Sequence, residues 1–218
     1  MVVEERKNMF INKIGMEHLE MGMNCQDYGI IGDTWAVVCD GCSDGKHSEV
    51  GAKLFCQLYK DCGDTKEVFT ELSGLFYREV EQLKDFLCFT ILHLYKEDDF
   101  FQVLYCGDGY IILQDQDGNI TFEELSDGEY PKYYIYNYIE PEYLKYYKDG
   151  VSFSKKTFFK EEYAKVGIAS DGLRYILQAD EELKQEFINC LKSGRELKTK
   201  LFINRNHKIF KDDVTIVF

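Results

Sequence analysis

Acidic residues recur in this sequence where predicted β-strands end or begin. Four short motifs stand at predicted strand ends and a fifth precedes the last predicted strand: Gln26-Asp27, Asp40-Gly41, Gly107-Asp108-Gly109, Ser170-Asp171-Gly172 and Asp212-Asp213. Asp-Gly pairs are common in turns, so any one motif alone predicts little more than a turn. Strand ends can converge in space, however, and carboxylates that meet repel one another unless cations hold them. The repetition therefore predicts a cation site.

The ligand types indicate which metal such a site would take. Carboxylate oxygens without clustered His or Cys favour a hard ion such as Mg²⁺ or Mn²⁺ over zinc. The chain has eight cysteines, of which Cys39 and Cys42 form one C-x-x-C, but no second pair completes a zinc set. We expect the cysteines to be mostly small buried apolar side chains.

Composition predicts one folded domain. A chain of 218 residues without a repeat or linker has the size of one large domain, so we expect a single domain over residues 1–218. A hydrophobic content of 45% is sufficient for a core. The net charge of −13 repels nucleic acid and anionic lipid, so neither is an expected partner. The charged start and the lack of a long apolar run predict a cytoplasmic protein.

The hydrophobic periodicity predicts an α+β fold. A helix begins near Ser48, a possible N-cap, a second runs from about 65 to 84, and a third covers 180–192. Strands are predicted at residues 9–15, 34–40, 86–95, 100–106, 110–113, 120–125, 151–158, 163–169 and 214–218. This order predicts antiparallel sheets covered by helices.

The acidic motifs, taken in order, resemble the motif series of the protein phosphatase 2C family of metal-dependent serine/threonine phosphatases, in the form of a divergent bacterial-type member. Beyond the acidic residues, the resemblance rests on the runs Val37-Val-Cys-Asp-Gly-Cys-Ser-Asp-Gly45, Ala169-Ser-Asp-Gly-Leu173 and Asp212-Asp-Val-Thr-Ile-Val217. It extends from Gln26 to Val217. It implies a four-layer α-β-β-α sandwich, two antiparallel sheets flanked by helices, with metal ions at one end.

The resemblance also implies a role for each acidic residue. Asp40 matches the carboxylate that bridges two metal ions, and Gly41 matches the residue that lends a backbone carbonyl. Asp171 and Asp212 match further ligands of the first metal. Asp27 matches the residue that holds the waters of the second metal.

A weaker third metal site is implied at Asp108, together with Asp171. Asp213 follows a ligand directly, and we expect it to support the ligands rather than bind metal itself.

The implied activity is hydrolysis of phosphoserine or phosphothreonine in proteins by a water that Mn²⁺ or Mg²⁺ activates. The expected partners are a phosphorylated protein substrate and a cognate serine/threonine kinase, which would give the protein a role in signalling. Two alternatives stay open. The first alternative is a phosphatase-like module that binds a partner with weak or no turnover. The second is a phosphatase of small molecules.

The sequence departs from the family pattern near the substrate. Residues 20–25 contain no arginine, although many members carry one there to bind the substrate phosphate, and Cys42 stands where many have His. Lys46 and Lys13 are candidate replacements for the arginine, but lysine lacks the bidentate fork. His18 matches a histidine of some bacterial relatives. It is either a catalytic acid that protonates the leaving alkoxide or a polar residue without a chemical role.

Two other segments invite a functional interpretation. Residues 115–124 imitate a calcium loop, but Leu113 would occupy the first ligand position, so we predict a hairpin turn instead. The tyrosine-rich stretch 130–147 is either the flap that this family places beside the active site or a packed or dimer-forming segment. His93 lies inside an apolar run and is predicted to be a core residue.

Overall fold

The chain forms two antiparallel five-stranded sheets that pack face to face, in a computed structural model that describes residues 8–126 and 128–218. The first sheet has the order β2-β3-β4-β5-β8 and the second has the order β1-β10-β9-β6-β7. The strands are β1 Phe10–Lys13, β2 Tyr28–Ile31, β3 Trp35–Gly41, β4 Phe89–Lys96, β5 Phe100–Cys106, β6 Gly109–Asp115, β7 Ile120–Leu125, β8 Ser154–Phe159, β9 Tyr163–Ala169 and β10 Val214–Val217.

Helices cover the outer face of each sheet. They are α1 Met16–Glu20, α2 Ser48–Cys62, α3 Thr65–Leu75, α4 Val80–Leu87, α5 Arg174–Leu177, α6 Glu181–Lys192 and α7 Glu196–Arg205. Helices α2, α3 and α4 pack on the first sheet, whereas α6 and α7 pack on the second. The predicted four-layer α-β-β-α sandwich is confirmed. Within the described part of the chain, no helix has the length and apolar character needed to cross a membrane.

Strand β3 shows how the sequence builds these layers. Successive side chains of a strand point to opposite faces. Val37 and Cys39 accordingly pack under the helices, whereas Ala36 and Val38 pack between the two sheets. The same alternation puts Asp40, the second-last residue of the strand, on the same face as Val38. An apolar strand thus delivers a carboxylate to the end of the space between the sheets.

The long helix predicted for residues 65–84 is wrong, because the structure divides it into α3 and α4. The break lies at Tyr77 and Arg78, whose φ angles are 50° and 55°. The ring of Phe76 stacks on Phe86 at 4.5 Å between centroids, which keeps the apolar stripe continuous across the break. Hydrophobic spacing alone therefore did not reveal it, and Phe86 belongs to α4 rather than to β4.

Other elements also differ from the prediction. The N-cap of α2 is His47 rather than Ser48, whose hydroxyl instead donates to the carbonyl of Cys42 at 3.0 Å. Strand β2 and helices α1, α5 and α7 were not predicted. Three of these are only four or five residues long, too short to establish a period. Helix α7 has ten residues but weak amphipathic character.

The tyrosine-rich stretch packs for most of its length on the helices of the first sheet. It contains two 3₁₀ turns, Tyr134–Tyr138 and Pro141–Tyr143. Ile135 is fully buried in that helical layer. The ring of Tyr134 lies 5.0 Å from that of Phe69 on α3. The middle of the stretch is therefore packed against the helices, and its beginning, at Tyr130, lies beside Asp108.

Candidate metal centre

The acidic motifs meet because their strands begin or end at the same end of the sandwich. Strand β3 ends just after Asp40, and it pairs antiparallel with the beginning of β4. Strands β5 and β9 end just before Asp108 and Asp171, and β10 begins just after Asp212. Asp27 stands immediately before β2, whose first residue pairs with Cys39 next to Asp40. The topology therefore brings all five predicted carboxylates to one place.

Asp40 lies at the electrostatic centre of this group. Its pKa is raised well above its usual value, first by burial and then by the negative charges of Asp27, Asp171, Asp212 and Asp108, in that order. Each of the other predicted carboxylates thus acts on Asp40. A shift of this direction and cause means that the ionised cluster is unfavourable without a neutralising cation.

Asp27 is the most buried of the predicted ligands, with 3% of its surface exposed. Its Oδ2 accepts a 2.6 Å hydrogen bond from the hydroxyl of Ser170, and that hydroxyl accepts one of 2.9 Å from the backbone N–H of Thr215. Burial raises its pKa to about 8, and the hydrogen bond from Ser170 only partly offsets this rise. The charge of Asp213 raises the pKa further.

Asp171 and Asp212 share a cationic partner, the guanidinium of Arg174. Nη1 of Arg174 lies 2.9 Å from Oδ2 of Asp171, and Nη2 of the same side chain lies 3.6 Å from Oδ2 of Asp212. Burial nevertheless raises the pKa of Asp171 to about 6; the guanidinium lowers it, and the charges of Asp108 and Asp212 raise it. Arg174 is a candidate functional residue that the motifs did not indicate. Its signal was an arginine three residues after Asp171.

Asp108 and Gly41 complete the predicted ligand set. Asp108 is the most exposed of the carboxylates, and partial loss of water raises its pKa. Gly41 packs against α2, where a Cβ would lie 2.6 Å from the hydroxyl of Ser48 and 2.9 Å from the carbonyl oxygen of Gln26. Glycine is therefore needed where β3 passes between these two segments.

Unpaired buried oxygens at this end of the sandwich fit a hard cation. Four buried side-chain polar atoms lack a hydrogen-bond partner among the described residues, and three of them belong to Gln26, Asp27 and Thr90. Thr90 is the cross-strand partner of Asp40. An oxygen-only donor set with raised carboxyl pKa values suits Mg²⁺ or Mn²⁺, since a divalent ion would relieve both the repulsion and the missing contacts.

His18 and Asp213 form a buried pair behind the cluster. His18 lies on α1 and its Nδ1 donates to Oδ2 of Asp213 at 2.9 Å. The backbone N–H groups of Gly15 and Gln26 donate to the same carboxylate at 2.7 and 2.5 Å. His18, Asp212 and Asp213 are close enough to bind a metal together. The carboxylate of Asp213, however, already accepts hydrogen bonds from His18 and from the backbone N–H groups of Gly15 and Gln26. This network gives Asp213 a supporting position, and it holds the imidazole of His18 in one orientation, with Nδ1 at 3.9 Å from Oδ1 of Asp212.

The lysines considered as replacements for the missing arginine lie elsewhere. Lys46 pairs with Asp85 at 3.1 Å and its side chain is 74% exposed. Lys13 shares a strand face with Ile11, which packs under the helices of the second sheet. Cys39 lies in the core under the helices of the first sheet, where its sulfur contacts that of Cys56 of α2 at 3.8 Å.

A cleft of about 250 Å³ opens beside Asp108. Thr90 and Gly107 form one side of it. Tyr130, at the beginning of the tyrosine-rich stretch, forms the other side. Because Asp108 belongs to the carboxylate group, this cleft is the candidate place for a substrate.

The sequence matches the protein phosphatase 2C family model over residues 14–202, so the chain belongs to the protein phosphatase 2C family. Among solved structures it is similar to the serine/threonine phosphatase Stp1 from Staphylococcus aureus, with a TM-score of 0.65 and 16% identity over 97% of this chain and 93% of that one. It is also similar to the Mycobacterium tuberculosis serine/threonine phosphatase PstP/Ppp, with a TM-score of 0.66 and 14% identity over 97% and 96%.

A further structure is that of the catalytic domain of PstP in complex with two manganese ions, at a TM-score of 0.64 and 15% identity over 97% and 96% of the two chains. No match was found among curated proteins. At these identities the structural likeness shows the fold, and the chemistry must be argued from the residues of this chain.

Proposed function

We propose that this protein is a metal-dependent phosphomonoester hydrolase that dephosphorylates phosphoserine or phosphothreonine in proteins. The observation that carries the proposal is the convergence of Asp27, Asp108, Asp171 and Asp212 on Asp40, with the pKa of Asp40 raised by all four charges. A cluster of this kind is stable in its ionised form only with bound cations. Membership in the protein phosphatase 2C family supports the reaction class.

The proposed ligands are the carboxylates of Asp27, Asp40, Asp108, Asp171 and Asp212 and the carbonyl of Gly41. Two Mn²⁺ or Mg²⁺ ions, with a weaker third site at Asp108 and Asp171, would supply an activated water and neutralise charge on the phosphate. Asp40, at the centre of the cluster, is the proposed bridging residue.

The protein's own contribution to this chemistry is to hold the carboxylates in place. Ser170 orients Asp27 through its hydroxyl, and Asp213 fixes the loop that carries Gln26 and the helix that carries His18. We propose that His18 protonates the leaving alkoxide, with Asp213 holding the imidazole in one orientation. The proposed protein substrate would lie in the cleft beside Asp108, and a cognate kinase is a proposed partner.

A binding module without turnover is the second candidate function. Its support is the guanidinium of Arg174, which contacts two of the proposed ligands, Asp171 and Asp212. A cation fixed there would compete with divalent metal. The absence of arginine from residues 20–25 and the Cys42 replacement favour the same alternative.

Turnover of p-nitrophenyl phosphate with Mn²⁺, and then of a phosphoserine peptide, separates these functions. We expect hydrolysis that EDTA abolishes and that Asp40→Asn eliminates. Asp33→Asn, at an exposed position in the turn between β2 and β3, is the matched control and should retain full activity. Mn²⁺ binding by calorimetry without turnover on any phosphomonoester would refute the hydrolase and favour the binding module. Full activity in metal-free protein would refute the proposed mechanism.

Turnover of small phosphorylated metabolites at a higher kcat/KM than phosphopeptides would instead favour a small-molecule phosphatase. Comparison of the two substrate classes under the same Mn²⁺ concentration decides between them.

A further inference from the structure

Arg174 is the basic side chain that reaches the carboxylate cluster. It begins helix α5, one turn after Asp171. Its two terminal nitrogens contact different carboxylates, Nη1 that of Asp171 at 2.9 Å and Nη2 that of Asp212 at 3.6 Å. In the part of the chain that the structure describes, no other arginine or lysine forms an ion pair with the proposed metal ligands.

The guanidinium is also accessible. The side chain of Arg174 is 39% exposed, compared with 20% for Asp171. It lies 5.2 Å from the ring centroid of Tyr175, so an aromatic face supports it on one side. The position allows one edge of the guanidinium to meet a ligand that arrives from solvent.

The other candidates for phosphate binding are less well placed. Lys46 is paired with Asp85, and Lys13 lies on the strand face that packs toward the helices. Residues 20–25 have no basic side chain. Lys132 lines the cleft beside Asp108, but its ammonium lacks the bidentate fork of a guanidinium. Among the described residues, Arg174 is therefore the cation that contacts the proposed ligands, is open to solvent and can offer two parallel N–H groups.

We propose that Arg174 binds the phosphate group of the substrate, in place of an arginine in residues 20–25; this proposal rests on the proposed function. A guanidinium presents two parallel N–H groups that match two oxygens of a phosphate, which a lysine does not. Divalent cations on Asp171 and Asp212 would take the oxygens that the guanidinium now contacts. The released guanidinium stays within reach of the cluster, because Arg174 begins a helix one turn after Asp171.

A brace is the competing role for the same contacts. In that case Arg174 only neutralises Asp171 and Asp212 when no metal is bound. The two roles predict different effects of removing the Arg174 side chain on metal and phosphate binding. Loss of a brace strengthens metal binding and leaves phosphate binding unchanged, whereas loss of a phosphate ligand weakens phosphate binding.

The test measures inorganic phosphate binding to the whole protein by calorimetry in excess Mg²⁺, together with Mg²⁺ binding in the absence of phosphate. We expect Arg174→Ala to weaken phosphate binding by about 10- to 100-fold, as for a lost charged hydrogen-bond pair. Arg174→Lys should be intermediate. Arg205→Ala is the matched control, since Arg205 is exposed on α7 and pairs with the single carboxylate of Glu186; its phosphate affinity should equal that of the wild type.

Unchanged phosphate affinity in Arg174→Ala would overturn the proposal and establish a brace. A parallel loss of Mg²⁺ affinity would also overturn it, because the defect would then lie in the metal site. A different result would refute the proposed hydrolase function without refuting the role of Arg174. Phosphate binding that depends on Arg174, in a wild type that turns over no phosphomonoester, would sustain the assignment of Arg174 and refute the hydrolase.

Discussion

Replacing Asp171 with Asn should stabilise the metal-free protein while weakening its metal binding. The variant keeps the shape of the side chain and removes one charge from a group of carboxylates that repel one another. Burial and the charges of Asp108 and Asp212 raise the pKa of Asp171 from 3.8 to about 6, despite the ion pair with Arg174. The ionised form of Asp171 is therefore unfavourable in the folded, metal-free protein.

The size and pH dependence of the effect follow from this shift. At 1.36 kcal/mol for each pKa unit, a rise from 3.8 to about 6 corresponds to about 3 kcal/mol of stability. The folded protein retains the proton up to about pH 6, whereas the unfolded chain releases it near pH 3.8. Wild-type stability therefore falls as pH rises through this window. The advantage of Asp171→Asn should be small below pH 4 and complete above pH 6.

Thermal unfolding in EDTA at pH 4 and at pH 7.5 measures this difference. For a chain of this size, about 3 kcal/mol corresponds to a Tm increase of about 6–12 °C at pH 7.5. With Mn²⁺ at about 100 times its Kd, the wild type gains about 2.7 kcal/mol and the variant gains less. Asp33→Asn, exposed in a turn, controls for the loss of one charge. A variant that is no more stable than the wild type in EDTA at pH 7.5 would refute the repulsion argument.

Three further outcomes are expected. His18→Asn retains a donor to Asp213 but no titrating proton, so it should slow phosphoserine peptide hydrolysis about 10²–10⁴-fold and p-nitrophenyl phosphate hydrolysis far less; equal losses would show a positioning role. Burial lowers the pKa of His93 to about 3, so wild-type stability should fall as pH drops below 6.5, by about 2 kcal/mol at pH 5. His93→Leu should lose this dependence in denaturant titrations, and a slope that persists would contradict the assignment. Gly172→Ala places a Cβ 1.8 Å from the carbonyl oxygen of Asp213, so it should lower the free energy of unfolding by about 1–3 kcal/mol and weaken Mn²⁺ binding. Gly74→Ala, with open space around the new Cβ, is the control and should have neither effect. Equal effects of the two substitutions would exclude a steric cause.

Four of the acidic residues, Asp40, Asp108, Asp171 and Asp212, were predictable because each lies next to a strand with a clear pattern, whereas Asp27 precedes the short strand β2, which was not predicted. The run Trp35–Gly41 is apolar up to Asp40, so both the strand and the position of its carboxylate follow from the sequence. The break between α3 and α4 could not be predicted in this way. Tyr77 and Arg78 adopt positive φ, which packing across the break stabilises and which residue type does not indicate.

The surroundings of the ligands depend on contacts between distant segments. Asp213 binds donors from Gly15, His18 and Gln26, which lie nearly 200 residues away in the sequence. No local pattern predicts such a network. The pairing of Arg174 with Asp171 was not predictable either, because it depends on the 3₁₀ turn Asp171–Leu173 and the four-residue helix α5, which are too short to show a period.

The order in which the chain is made gives the β1–β10 pairing a further consequence. Strand β10 joins β1 to β9, so it lies inside the second sheet although it is the last strand of the chain. Asp212 enters its place only when that strand arrives. During synthesis, the carboxylates made earlier face no complete cluster, and contacts of such long sequence separation form slowly. The carboxylate cluster is therefore complete only after β10 has inserted between β1 and β9, and a cation site that needs Asp212 would report that this insertion has taken place.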